Sequence, residues 1–193
     1  MARKLTFDYD QALDRATELF WRKGYAGTGI RDLLKEMEIG EGSFYHSLKS
    51  KRHLFLLCLA RYDETVVAKR MRLMASAPDA GAGIRAFFTH MFDYLDDAKA
   101  PSKLCMIAAT VEEEVLVDPE LRQRAAKGLK DLEAQFASRL ARDPQSPSAR
   151  IEDGALAAIL TTYVQGLWRM ALVDYDRGRF EQQTEILLGS LGV

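Results

Sequence analysis

The stretch from Thr28 to Phe55, TGIRDLLKEMEIGEGSFYHSLKSKRHLF, constrains the chain more than any other. Ile30, Leu33, Leu34 and Met37 recur at helical spacing and give a first short helix one apolar face. Thr28 is placed to cap its N-terminus with a side-chain oxygen. Glu38-Ile39-Gly40 breaks the pattern, with Ile39 as an apolar plug and Gly40 free to take a turn conformation. The next helix, Glu41 to Leu48, keeps only Phe44 and Leu48 as an apolar pair one turn apart. Its other positions are small or polar, so it is placed for what its outer face touches. Lys49, Lys51 and Arg52 follow directly. Helix, tight turn, polar helix and basic cluster form the layout of a helix-turn-helix, whose second helix enters a DNA groove.

Flanking segments complete a three-helix head. Asp8 caps a helix, with Gln11 as its capping-box partner, and Ala12, Leu13, Ala16, Leu19 and Phe20 form the buried stripe. Gly24 ends that helix after the cations Arg22 and Lys23. Residues 1–6 form a basic arm. A longer helix, Leu54 to about Met74, runs without Gly or Pro and is expected to be a rigid connector.

The chain resembles the TetR-type transcriptional regulators. The matching residues are Phe20, Gly24-Tyr25, Thr28, Ile30-Arg31-Asp32-Leu33, Gly42-Ser43-Phe44-Tyr45-His46, Lys49-Ser50-Lys51 and Leu54-Phe55, in register without a gap. The pattern differs at Leu34, Met37, Glu38, Gly40 and Glu41, so the resemblance speaks for the fold and not for the bases read. A second stretch, Cys105 through Glu113 to Asp118-Pro119, is similar to one subgroup of the family, with Leu104 and Ala109 standing where Gly and Asn are usual. The resemblance implies an all-α chain of about nine helices. A DNA-binding domain, residues 1–53, is joined by a long helix to a ligand-binding and dimerisation domain, residues 54–193.

Downstream, helices are expected over Gly83–Asp97, around Lys103–Glu114, over Glu120–Arg142 behind an Asp118 cap and Pro119, from Arg150 to about Asp176, and over Phe180–Leu191. The loop 143–148 separates the third and fourth of these. The last two helices carry more apolar surface than one subunit needs, including Ile159, Leu160, Leu167, Ile186 and Leu187, which suggests a bundle shared between two subunits.

Charge fits this layout. The formal net charge is −1, yet residues 1–60 carry ten Lys/Arg against eight Asp/Glu, and the remainder is acidic. Two cysteines, Cys58 and Cys105, give no disulfide framework and suit a reducing cytosol, so a cytoplasmic location is expected. No apolar run approaches the roughly 18 residues of a membrane span. An all-α enzyme finds no support: His46, His53 and His90 form no paired metal motif, and no zinc spacing, phosphate loop or nucleophile elbow is present. A helical adaptor would not need GSFYHSLKSK. No cofactor is expected.

The expected DNA-facing set is Thr28, Gly42, Ser43, Tyr45, His46, Lys49 and Lys51. Tyr45 and Lys51 can donate to phosphate, whereas Ser43 and His46 share one helix side and can reach bases. The expected partners are a double-stranded operator, a second copy of the chain and a small-molecule effector. The effector would meet Phe88, Phe92, Cys105, Ala109, Glu113 and Trp168, a mostly apolar set with few polar groups. Cys105 follows Lys103 near a helix start, which would suit an oxidant or electrophile sensor; its apolar neighbours favour a core or cavity-lining residue instead.

Overall fold

The computed structural model describes residues 7–142 and 152–193, and every regular element among them is helical. The helices are α1 (Tyr9–Lys23), α2 (Ile30–Met37), α3 (Glu41–Leu48), α4 (Lys51–Tyr62), α5 (Ala68–Ser76), α6 (Ala80–Asp96), α7 (Met106–Ala109), α8 (Glu113–Leu116), α9 (Pro119–Ala141), α10 (Asp153–Ala171) and α11 (Arg177–Leu191). α7 and α8 are single turns. The basic arm 1–6 and the loop 143–148 lie outside the described residues.

Two compact units emerge. One comprises the chain up to Val66 with Cys105–Ala125; the other comprises Val67–Leu104 with Ala126–Val193. The boundary expected at 53/54 falls inside α4, all of which belongs to the first compact unit.

In the first unit, Asp8 caps α1 by accepting from the Gln11 amide at 3.1 Å, and Gly24 closes it at φ 73°. Phe20, Phe55 and Tyr25 meet within 5 Å along the pairs Phe20–Phe55 (4.9 Å) and Tyr25–Phe55 (4.8 Å). Trp21 packs edge-on against Tyr62 at 4.7 Å. Leu33, Phe44, Leu48 and Leu54 are buried behind them. The Arg61 guanidinium grips Asp14 through two bonds, of 2.7 and 3.1 Å, and ties α4 to α1. Such a fork is geometrically specific, although its exposure limits its energy. Ser50 caps α4 by accepting from the His53 amide at 3.1 Å.

Three local expectations are corrected here. Gly29, not Thr28, is the N-cap of α2; the Thr28 hydroxyl donates to the Gly24 carbonyl at 2.7 Å. The left-handed residue of the turn is Glu38, at φ 57°, while Gly40 is extended at φ −76°. Ile39 is the buried plug, and the reversal comes one residue before it. The connector is not a uniform α-helix: a π-helical turn, Asp63–Val67, separates α4 from α5. Such turns are often found at functional positions.

In the second unit, α5 and α6 approach closely at Gly83, where a Cβ would lie 2.5 Å from the Met74 carbonyl oxygen. Arg139 of α9 donates to the Met74 and Ala77 carbonyls at the C-terminal end of α5. That end is electronegative, so the buried cation is well placed. Asp79 caps α6, which starts earlier than expected, at Ala80. Asp176 does not end α10 but caps α11, accepting from the Arg179 amide at 2.7 Å. The helix expected around Lys103–Glu114 is reduced to the single turns α7 and α8, between which the chain is extended at Glu112.

Candidate nucleic-acid interface

α3 is held from behind and largely exposed in front. Phe44 and Leu48 are buried in the head, and Phe44 meets the Tyr45 ring edge-on at 5.2 Å. Gly42, Tyr45 and His46 are exposed, Ser43 and Lys51 are partly exposed, and Lys49 is exposed. Tyr45 is 50% exposed although it is large and aromatic. A Cβ added at Gly42 would meet nothing within 4 Å, so the fold itself does not demand glycine there.

The C-terminal edge of α3 is cationic. Lys49 leaves the helix at φ 62° and projects from the turn. The Lys51 ammonium lies 4.3 Å from the centroid of the Tyr25 ring. This contact and partial burial fix its position, and burial lowers its pKa from the usual lysine value. Arg52 is directed away from this set, toward Asp118 at 3.2 Å and Glu120 at 3.0 Å. Thr28 is only 1% exposed, and its hydroxyl is used within the head. Six of the seven expected residues thus share one accessible margin, and Thr28 supports it from the interior.

The six expected effector residues divide between the units. Phe88, Phe92 and Trp168 are buried in the second unit, with Phe88 stacked on Phe92 at 6.4 Å and Trp168 edge-on to Tyr94 at 5.8 Å. Cys105, Ala109 and Glu113 belong to the first. Cys105 is 6% exposed and receives a hydrogen bond from the Tyr62 hydroxyl at 3.4 Å. Ala109 is half-buried and Glu113 is exposed. Lys103 donates to the Leu95 and Asp97 carbonyls. Sequence reasoning overlooked Arg70, a buried cation of the second unit.

Comparison with known proteins gives the same reading. The sequence pattern described as "Bacterial regulatory proteins, tetR family" matches residues 12–58. An uncharacterized HTH-type transcriptional regulator of Bacillus subtilis (strain 168), YezE, is 31% identical over 99% of this chain and 100% of its own length. This chain belongs to the TetR family. It is a helix-turn-helix transcriptional regulator and not an enzyme. The TetR-family chain is also similar to the HTH-type transcriptional repressor ComR of Escherichia coli (strain K12), at 25% identity over 86% of this chain and 80% of ComR. Among solved structures, a cysteine mutant of the TetR family regulator CifR complexed with 26 bp of double-strand operator DNA superposes with a TM-score of 0.87. It is 26% identical and the match covers 96% of this chain and 98% of CifR. Family regulators work as dimers on double-stranded operators and respond to small-molecule effectors. No helix among the described residues is long and apolar enough to cross a membrane.

Proposed function

We propose that this TetR-family chain is a cytoplasmic, dimeric repressor that docks α3 in the major groove of a near-palindromic operator. The observation that carries this reading is a helix whose inner side chains are fully buried and whose outer margin is bare, polar and flanked by cations. Gly42 admits the phosphate backbone, Tyr45, Lys49 and Lys51 hold phosphates, and Ser43 and His46 meet base edges. Two heads would occupy successive major grooves, their centres about 34–36 Å apart.

The dimer surface is the outer stripe of α10 and α11. Ile159 and Met170 on α10 and Ile186 on α11 are exposed although apolar. Ala158, Ile159, Thr162, Tyr163 and Leu187 line an open hollow of about 430 Å³ on the same side. Gly166 is exposed between Thr162 and Met170, and nothing of the chain lies within 4 Å of its Cβ position. Leu160 and Leu167, in contrast, are buried within the subunit and serve its core. An effector held by the second unit, near Phe88, Phe92 and Trp168, would favour a head spacing that no longer fits the operator.

The test pairs DNA binding with association state. Wild type should be a dimer by sedimentation velocity and should retard genomic fragments at low salt. Ile159→Glu/Ile186→Glu should be a folded monomer that binds operator at least tenfold more weakly. A double variant that remains dimeric moves the interface elsewhere. A wild type that retards no DNA removes the reading altogether.

A further inference from the structure

Arg70, in the first turns of α5, is 3% exposed. Its guanidinium carbon lies 5.5 Å from the Phe87 ring centroid and 5.5 Å from that of Trp168. Its Nε donates weakly, at 3.5 Å, to Nδ1 of His90, while Nη2 is buried and reaches no acceptor of the protein. No carboxylate among the described residues forms an ion pair with it. Asp93, on the same helix as His90, is taken by Arg177 at 2.9 Å. Arg139 shows how the same unit treats a cation that is only structural: its N–H groups end on the Met74 and Ala77 carbonyls.

A guanidinium stays charged at any pH the protein meets. Burial without a counter-charge is costly, and two ring faces recover only part of the loss. A water could satisfy Nη2 but could not neutralise the charge. His90 is no counter-ion either, since an imidazole accepting at Nδ1 is neutral at best. Burial and the adjacent Arg70 both hold its pKa below the ordinary histidine value.

We propose that Arg70 is the anchor for the effector, and that the effector is an organic monocarboxylate with an apolar or aromatic body. The class follows from the surroundings. One fixed positive charge asks for one negative charge, and a phosphate dianion would leave excess charge among rings. The flat guanidinium edge matches a flat carboxylate through parallel N–H bonds. Phe87 and Trp168, each 5.5 Å from the guanidinium carbon, supply the apolar surroundings. This inference rests on the effector reading above and gives the effector a chemical class.

Thermal unfolding of the full-length protein tests it with phenylacetate, indole-3-acetate and octanoate against the three matching primary amides. At a hundredfold excess over Kd, a bound carboxylate should raise Tm by roughly 5–10 °C, and its amide should not. Arg70→Met should abolish the shift while raising the Tm of the free protein, because an unpaired buried charge is replaced by an apolar chain. Arg70→Lys should keep a reduced shift. Three outcomes of the ligand series overturn the proposal: no carboxylate shifts wild type, acid and amide shift it equally, or the shift survives in Arg70→Met. A lower Tm for free Arg70→Met also overturns it, since the arginine would then be a strut. The same compounds are added to the protein bound to DNA selected from a random pool. Release by amides as well as acids leaves the effector reading standing and removes the carboxylate. An Arg70-dependent shift without release keeps the anion site and removes the effector reading.

Discussion

The Arg52 guanidinium lies 3.2 Å from the Asp118 carboxylate, joining the first turn of α4 to the cap of α9 across 66 positions of sequence. Asp118 meanwhile accepts from the Glu120 and Leu121 amides at 2.9 and 3.1 Å. Arg52 therefore stands beside the margin proposed to face DNA without being part of it. Lys51→Ala should lower the slope of log affinity against log salt by about one unit, whereas Arg52→Ala should leave it within a fraction of a unit. Affinity titrations on one duplex at several salt concentrations measure both. A slope change for Arg52 alone would reverse the assignment.

Two carboxylates make the head acid-sensitive. Asp118 is held below the usual carboxylate range, first by the Leu121 amide and then by Arg52 and the Glu120 amide. Asp32 is lowered by the Gly29 amide and by Lys23. Groups with depressed folded pKa values contribute stability that is present above their unfolded values, near pH 4, and lost as pH falls through the folded ones. Stability measured between pH 6 and pH 3 should decline, and Asp32→Asn/Asp118→Asn should show a shallower decline below about pH 4. An unchanged profile would mean the carboxylates are equally stabilised in the unfolded chain.

Glu38 occupies the left-handed region at φ 57°, with only an exposed pair to Arg15 at 2.8 Å in return. The conformation costs an L-residue with a side chain roughly 1–2 kcal/mol, and an exposed ion pair recovers less than about 1. Glu38→Gly should thus stabilise the protein, by about 0.5–1 kcal/mol in urea unfolding, with DNA affinity unchanged. Destabilisation would show that the Arg15 pair is worth more than its exposure suggests.

Cys105 is buried and its sulfur is hydrogen-bonded by Tyr62. Cys58 is buried as well, and burial pushes its thiol up to about 12. Iodoacetamide should therefore modify neither residue of the native protein on the timescale that labels the unfolded one. Cys105→Ser should keep DNA binding and cost about 1 kcal/mol or less, since the hydroxyl can keep the Tyr62 bond. Fast labelling of native Cys105 accompanied by loss of DNA binding would make it a sensor instead.

Much of the head was legible because its signals are local. Asp8, Gly24 and Asp118-Pro119 each mark a helix end by their own chemistry, and each does so in the structure. The pairing of Phe44 with Leu48 gave the inner side of α3 and therefore its outer margin. What escaped depends on contacts far apart in sequence. Gly40 was free to take the turn conformation, but the left-handed residue is Glu38, just before the buried Ile39. Nothing in DETVV announces a π-turn. Apolar content pointed to Ile159, Leu160, Leu167 and Ile186 alike for association, and only the packed unit shows that Leu160 and Leu167 are buried while Ile159, Met170 and Ile186 are left outside. Arg70 stands in the run Lys69-Arg70-Met71-Arg72, and its place one helical turn before Met74, also buried, is the one hint of its burial.

Selection of bound duplexes from a random pool tests the central claim most directly, because it asks whether α3 reads DNA. Wild type should enrich one near-palindromic sequence with half-sites about one helical turn, or a multiple of it, apart. Ser43→Ala or His46→Ala should change the bases preferred within each half-site, and Tyr45→Phe should weaken all sequences alike. A pool that stays random, or a motif identical in wild type and in both the Ser43 and His46 variants, would contradict the assignment of α3 as the reading helix.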